Sequence, residues 1–397
     1  MDPSLSPELR ELQQRTREFI DDVVVPMEAR DTPRPGGGHH GPSDAFRVEL
    51  QDAAKEAGLF APHIGHEFGG LGLDVAGQAV VFEQAGRSLL GPLALNCAAP
   101  DEGNMAMLEK IATPDQAERF LRPLAAGEVR SCFAMTEQSP GAGSDPSMLK
   151  TTATRVDGGW ALNGEKWFIT GGVGAAFAIV MAMTDGKATM FLVDADTPGF
   201  VVEEAIDTID HISPGGHARI TFTDCVVPED QVLGAVGEGF RYAQVRLAPA
   251  RLTHCMRWLG LATRALDIAM DRAATREAFG SRLADLGLAQ RLIADCVIDI
   301  ETSRAIIART AAVLDSGAEG GLASSIAKVH VSEATFRVID SAIQLCGSDG
   351  ITVEPLGRYL AEVRPFRIYD GSNETHRWSI ARKAVKARTR ETGAAVR

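Results

Sequence analysis

The residue pattern of this 397-residue chain changes twice along its length, and these changes constrain the fold most strongly. Over residues 1–130, apolar residues recur near a 3.6-residue period, which predicts helices. Over 131–237, alternating runs such as "TTATRVDGGWALNGEKWFITG" predict antiparallel strands joined by tight turns. Over 238–397, three long stretches each carry an apolar stripe, and "ETHRWSIARKAVKA" adds a fourth helix.

A chain of this length is too long for one hydrophobic core, so several domains are expected. The sequence predicts an α+β protein with three of them. We expect an N-terminal helical domain over 1–130, a middle antiparallel β-barrel or sandwich over 131–237, and a C-terminal four-helix bundle over 238–397.

Composition excludes several classes of function. The net charge of −13 argues against a nucleic-acid partner, because such binding depends on Lys and Arg neutralising phosphates. No apolar run approaches the length of a membrane span, and the N-terminus lacks the apolar region of a secretion signal. The six dispersed cysteines form no C-x-x-C pair, which predicts buried reduced thiols and a cytoplasmic protein.

We predict no metal site. The adjacent His39 and His40 lie in a loop rich in Pro and Gly, without a nearby thiol or carboxylate, and are expected to be solvated.

Two motifs of the middle region are candidates for cofactor binding. "FAMTEQSPGAGSD" (133–145) is rich in glycine, so its backbone can approach a ligand closely, but it can equally be a flexible connection. In "KWFITGG" (166–172), Trp167 can stack on a flat cofactor and Thr170 can hydrogen-bond to it. Alternatively, Trp167 is a core residue.

Three motifs of the C-terminal region are candidates as well, each with a purely structural interpretation. In "TREAFG" (275–280), Arg276 can reach a phosphate or form a surface ion pair. The glycines of "QLCGSDG" (344–350) can cap a helix. In "RIYDG" (367–371), Asp370 precedes the last helix and is either its cap or a catalytic base.

Together with "HEFGGLGL" (66–73), these motifs, in this order and spacing, resemble the acyl-CoA dehydrogenases over nearly the whole chain. The resemblance implies FAD bound without a Rossmann motif and a homotetramer or dimer. It implies desaturation of an acyl-CoA, or acyl-carrier, thioester between its α and β carbons. Electrons would pass to an electron-transfer flavoprotein or a similar acceptor.

The resemblance also implies site residues by position. Those along the flavin are Phe133, Met135, Thr136, Trp167, Ile169 and Thr170. Ser144 matches the serine that meets the flavin pyrophosphate or the acyl-CoA. Those that contact the FAD of a neighbouring subunit are Arg276, Phe279, Gln344 and Gly347. Ser372 and Glu374 match residues at the ADP portion.

Asp370 matches the catalytic base, which is Glu in most of the family. A long-chain branch carries Asp there, and "RSCFAMTE" (130–137) and "RLTHCMRWLGLATRAL" (251–266) resemble that branch. Some relatives carry the base near residue 250, but here that position reads Ala250-Arg251. We expect Arg251 to lie beside Asp370 and help set its pKa, with Gly371 also at the substrate.

The sequence departs from the family pattern at cofactor contacts rather than at the base. Gln138 and Ser139 are extra residues in the Gly-rich loop, and Ser348 replaces a glycine.

The leading hypothesis is FAD-dependent α,β-dehydrogenation of an acyl-CoA with a medium-to-long or substituted chain. Two alternatives stay open. One is an oxygen-using flavoenzyme of the same fold, either an acyl-CoA oxidase or a flavin monooxygenase. The other is a non-catalytic FAD-binding scaffold. The carboxylate at position 370 counts against the monooxygenase, and the intact motifs count against the scaffold.

Overall fold

The computed structural model describes residues 5–30 and 41–392, so His39 and His40 lie outside the described residues. The chain forms two compact units that divide between Ala250 and Arg251. The three-domain boundaries deduced from the sequence stay a prediction.

The first unit begins with helices whose starts follow local sequence signals. Ser6, Ser43 and Asp74 each accept a hydrogen bond from a backbone N–H of the following turn, which satisfies donors that the helix leaves open. The helices of this part are α1 (Pro7–Phe19), α2 (Val25–Glu28), α3 (Asp44–Glu56), α4 (Val75–Ala85), α5 (Gly91–Ala94), α6 (Asp101–Ile111), α7 (Pro114–Gln116) and α8 (Arg122–Ala125).

One eight-stranded sheet follows in the same unit. Its strands are β1 (Ser131–Ala134), β2 (Thr152–Val156), β3 (Gly159–Thr170), β4 (Phe177–Thr184), β5 (Lys187–Asp194), β6 (Phe200–Ile206), β7 (His217–Pro228) and β8 (Val232–Leu233). The order is β6-β7-β3-β2-β4-β5-β8, with β1 beside β4. Most pairs are antiparallel, as the alternating pattern predicts, whereas β1 and β2 each pair with β4 in parallel.

A hydrophobic core packs against the sheet and is built from residues that alternate along its strands. Its largest members include Trp160, Phe191 and Phe222. The antiparallel register of β3 and β7 pairs Thr170 with His217 at the end of β3, and this pairing positions one edge of the candidate site.

The second unit is built mainly from long helices. Its elements are α9 (Gly239–Thr275), which begins before the division between the units, β9 (Glu277–Ala278), β10 (Ser281–Arg282), α10 (Gly287–Asp315), α11 (Gly321–Cys346), α12 (Arg358–Val363) and α13 (Asn373–Thr392). The strands β9 and β10 form a small hairpin. The four long helices agree with the bundle expected from the apolar stripes.

All six cysteines are buried thiols without a disulfide. Across residues 5–30 and 41–392, no helix is both long and apolar enough to cross a membrane.

Candidate active site

Asp370 lies in a turn between α12 and α13 with an unusual backbone conformation. Its φ is +54°, in the left-handed region that costs a non-glycine residue energy, and Gly371 follows with φ +91°. Only glycine fits at position 371, because an added Cβ would lie 2.8 Å from Nε2 of His376. The next residue, Ser372, accepts a hydrogen bond from the Thr375 N–H at 3.2 Å. Ser372, rather than Asp370, therefore caps the last helix.

Buried cationic and polar side chains hold this turn by its carbonyl oxygens. Nε of Arg251 and Nε2 of His376 each donate to the Asp370 carbonyl at 3.0 Å. Nζ of Lys328 donates to the Gly371 carbonyl at 2.8 Å. These hydrogen bonds stabilise the strained turn. They end on backbone carbonyl oxygens, so they do not involve the carboxylate of Asp370.

The carboxylate of Asp370 lies beside His254, a residue on α9. Nε2 of His254 is 3.3 Å from Oδ2 of Asp370, and the two side chains are 13% and 17% exposed. Nη2 of Arg257 lies 3.2 Å from Nδ1 of His254. Because an arginine only donates, Nδ1 accepts, and the ring proton is on Nε2, toward Asp370.

The His254 ring is held by aromatic neighbours. Its centroid is 4.9 Å from that of Tyr369 and 5.8 Å from that of Phe366. The hydroxyl of Tyr369 accepts a hydrogen bond from Trp258 at 2.6 Å. Sequence reasoning missed His254. The available signal was the spacing of Arg251, His254 and Trp258, which places them on one face of a helix.

Burial shifts the protonation of the basic groups around the turn. It lowers the pKa of Lys328 to about 8, although the charge of Asp370 opposes this change. It lowers the pKa of Arg251 in the same way, again opposed by Asp370. Burial, with the positive charge of Arg251, lowers the pKa of His376 to about 4. At neutral pH, His376 is therefore a neutral donor, whereas Arg251 supplies positive charge beside Asp370.

The Gly-rich loop of the first unit is organised by a buried ion pair that sequence reasoning also missed. Nζ of Lys166 lies 2.9 Å from Oε1 of Glu137, and the side chains are 0% and 5% exposed. The Glu137 carboxylate also accepts from the N–H groups of Lys150 and Thr151, at 2.8 and 2.9 Å. Burial opposes its ionisation, but the Lys166 charge and the Thr151 hydrogen bonds outweigh burial and lower the pKa of Glu137 to about 2.

The extra residues Gln138 and Ser139 are contained in a closed turn. The Glu137 N–H donates to the Ala142 carbonyl at 2.7 Å, and the Gly141 N–H donates to the Gln138 carbonyl at 2.7 Å. Ser144 lies beyond this turn and is exposed. The insertion therefore leaves Ser144 accessible.

The other expected flavin residues of the first unit differ in exposure. Thr136 is exposed, and its carbonyl accepts from the Trp167 N–H at 2.9 Å. Trp167 is half-buried, which contradicts a pure core role, whereas the Ile169 side chain is 1% exposed and belongs to the sheet core. Ile169 can thus contact a ligand only through its backbone.

Three further expected residues have partners within the first unit. Met135 is half-buried, and its carbonyl accepts from Lys166 at 3.1 Å. The guanidinium of Arg246 lies 4.2 Å from the centre of the Phe133 ring. The hydroxyl of Thr170 lies 3.0 Å from Nδ1 of His217.

The residues expected to reach a neighbouring subunit lie on the surface of the second unit. Phe279, at the tip of the β9–β10 hairpin, is 96% exposed with φ +54°. Arg276 and Gln344 are exposed as well, and so is Glu374, which is expected at the ADP portion of FAD. Gly347 caps α11, since its N–H donates to the Gln344 carbonyl.

No group of three or more metal-ligating side chains occurs in the part of the chain that the structure describes.

Comparison with known proteins decides the family. Profiles of the acyl-CoA dehydrogenase N-terminal, middle and C-terminal domains match residues 6–128, 132–225 and 237–385. The probable acyl-CoA dehydrogenase FadE2 of Mycobacterium tuberculosis is 35% identical, with 100% of this chain and 99% of that protein covered. The chain belongs to the acyl-CoA dehydrogenase family.

Other relatives of this family member are longer proteins. Acyl-CoA dehydrogenase family member 10 of Mus musculus is 33% identical over 97% of this chain, but the chain spans only 38% of that protein's length.

Solved structures of family members share the fold. The butyryl-CoA dehydrogenase of Megasphaera elsdenii superposes with a TM-score of 0.85 at 28% identity, covering 97% of this chain and 100% of the other. A structure described as the FAD complex of PigA has a TM-score of 0.83 at 25% identity, covering 97% and 99%.

Proposed function

We propose that this acyl-CoA dehydrogenase family member is an FAD-dependent enzyme that oxidises an acyl-CoA thioester between its α and β carbons, with Asp370 as the base. The observation that carries the proposal is the carboxylate of Asp370. It is 17% exposed, on a strained turn held by Arg251 and His376, and it lies 3.3 Å from His254. A carboxylate fixed in this way suits removal of a weakly acidic α-proton.

The residues of the first unit fit a flavin by the chemistry of their exposed groups. The indole of Trp167 is half-buried, and the hydroxyls of Thr136 and Ser144 are exposed. The backbone beside Ser144 faces open space, because an added Cβ at Gly143 would meet no atom within 4 Å. When bound, FAD supplies the acceptor for the hydride that leaves the β-carbon.

We propose that the other expected residues bind FAD as follows. Phe133, Met135, Ile169 and Thr170 contact the flavin, largely through backbone groups and the Thr170 hydroxyl. Ser372 and Glu374 bind the ADP portion. The FAD of a neighbouring copy of the chain is contacted by Arg276, Phe279, Gln344 and Gly347. The electron acceptor is an electron-transfer flavoprotein or a similar protein.

The substrate residues have separate tasks. Asp370 accepts the α-proton on its carboxylate. Nε2 of His254 lies 3.3 Å from Oδ2 and helps to orient that carboxylate, and Arg251 supplies positive charge that favours its ionised form. The Gly371 N–H is a hydrogen-bond donor for the thioester carbonyl as negative charge develops there. Ser144 contacts the CoA portion.

The experiment mixes the purified holoenzyme anaerobically with acyl-CoAs of increasing chain length and follows flavin absorbance. We expect rapid bleaching with one class of chain length. Asp370→Asn should retain FAD but bleach about 10²–10⁴-fold more slowly and lose exchange of the substrate α-proton with solvent, because the general base is absent. His254→Gln should slow both processes to a smaller extent.

The matched control is Asp295→Asn, an exposed carboxylate on α10 that should leave bleaching unchanged. Retained proton exchange in Asp370→Asn would exclude Asp370 as the base. Absence of bleaching with every thioester in an FAD-containing protein would reject the dehydrogenase function.

A further inference from the structure

Three polar side chains, those of Thr170, His217 and Asp210, form a line in the first unit. The proposed reaction gives a role to Thr170 but none to His217 or Asp210. Oγ1 of Thr170 lies 3.0 Å from Nδ1 of His217. Nε2 of His217 lies 2.9 Å from Oδ2 of Asp210. His217 and Asp210 are only 13% and 15% exposed. The line is therefore largely withdrawn from solvent, and its inner hydrogen bonds are stronger than they would be in water.

The backbone holds Thr170 and His217 in register. Thr170 and His217 are paired across strands β3 and β7, and the Gly171 N–H donates to the Gly216 carbonyl at 2.7 Å. The ring of Phe168 lies 5.7 Å from that of His217 and covers it on one side. The imidazole thus has a fixed position between its two polar partners.

The chemistry of Asp210 sets the direction of the inner hydrogen bond, between His217 and Asp210. Burial opposes ionisation of Asp210, but the hydrogen bond and charge of His217 and the hydrogen bond of Thr208 outweigh burial and lower the pKa of Asp210. An ionised carboxylate only accepts, so Nε2 of His217 carries a proton. A ring without a proton on Nδ1 accepts there from the Thr170 hydroxyl, 3.0 Å away.

We infer that Nδ1 of His217 carries no proton, and that Asp210 and His217 are positioning residues that orient the Thr170 hydroxyl toward Nδ1, so that Thr170 offers a ligand only the lone pairs of its oxygen. This inference rests on the proposed function, in which Thr170 contacts FAD. A reduced flavin ring carries one more N–H group than an oxidised ring. An acceptor fixed beside the ring therefore favours the reduced form, and Asp210 and His217 raise the reduction potential of the cofactor through Thr170.

The first test reads the tautomer directly in the FAD-free protein, so it does not depend on the proposed function. Nitrogen-15 NMR of histidine-labelled protein should show His217 as a neutral ring protonated at Nε2, with the signal assigned from its loss in His217→Phe. Asp210→Asn should weaken this preference, because an amide can donate as well as accept. A proton on Nδ1 of the wild-type ring, with or without one on Nε2, would overturn the inference.

The second test is a double-mutant cycle on the reduction potential of the bound FAD. His217→Phe should shift the reduction equilibrium about tenfold toward the oxidised form, equivalent to about 30 mV for two electrons. In a Thr170→Val background, the same substitution should cause no further shift, because the hydroxyl through which His217 acts is absent. Equal shifts in both backgrounds would show a general structural effect and overturn the inference.

Failure of the proposed function gives a different result. A protein that binds no FAD would defeat the proposed function, while the tautomer measurement would still decide the hydrogen-bond direction.

Discussion

At the scale of single residues, the proposed base chemistry depends on the backbone conformation at Asp370. A non-glycine residue with φ +54° is strained, and the strain persists because Arg251 and His376 bind its carbonyl oxygen. The Asp370 side chain is one methylene shorter than a Glu side chain, so its carboxylate reaches about 1.5 Å less far. The unusual turn, together with His254, specifies where the shorter carboxylate points.

His376 gives a residue-scale prediction about pH. Its pKa is lowered from 6.5 to about 4 in the folded protein, chiefly by burial. Between these pH values the unfolded chain binds more protons than the folded chain, so the free energy of unfolding falls as pH falls. The wild-type protein therefore loses free energy of unfolding between pH 7 and pH 5. In His376→Gln this loss should be smaller by about 2 kcal/mol.

Denaturant unfolding of both proteins at the two pH values measures this difference. His330→Gln, at another histidine, which lies on α11, controls for the substitution itself. If wild type and His376→Gln lose the same free energy of unfolding between pH 7 and pH 5, the prediction that His376 is buried and neutral is wrong.

At the scale of elements, the Gly-rich loop depends on strand β3. Glu137 binds Lys166 of β3 and the N–H groups of Lys150 and Thr151, which follow the loop. The ends of the loop are thus tied together by one carboxylate. The loop can carry two extra residues without losing its attachment to the sheet, because the insertion lies within the closed turn.

Glu137→Gln tests this arrangement. The substitution keeps the shape but leaves the Lys166 charge buried and uncompensated, which should cost about 3–5 kcal/mol of stability and weaken FAD retention. Glu165→Gln is the matched control, since the pair of Glu165 and Arg219 is 34% and 37% exposed and should contribute less than about 1 kcal/mol. Thermal unfolding and retained flavin absorbance measure both effects, and equal losses in the two variants would contradict the role of Glu137.

At the scale of the whole molecule, the β9–β10 hairpin is the proposed contact with a neighbouring copy of the chain. Phe279 combines a strained φ of +54° with 96% exposure, so within one chain its ring gains almost no burial. A second copy of the chain would cover the ring, which agrees with the proposed role at a neighbouring subunit's FAD. The oligomeric state, tetramer or dimer, stays a prediction.

Phe279→Ser is expected to leave the fold of one chain intact, with unchanged circular dichroism, but to lower FAD retention and shift the oligomer toward smaller species. Light scattering coupled to size-exclusion chromatography measures the assembly. Val201→Ser, at a position 48% exposed on β6, is the control for loss of an exposed apolar side chain. An unchanged oligomer with full FAD content would contradict the role of Phe279.

The sequence by itself determined the family, the order of helical and strand regions, and Asp370 as the candidate base, because periodicity and motifs are local properties of the chain. The tertiary structure alone decided the partners of those residues. Arg251 and Asp370 are 119 residues apart, Thr170 and His217 are 47 apart, and Glu137 and Lys166 are 29 apart. Glu137 and His254 lie within motifs that assigned them no role, and His217 and Asp210 lie in no motif. Their roles arise from burial and hydrogen bonding between distant segments, which exist only once the chain has folded.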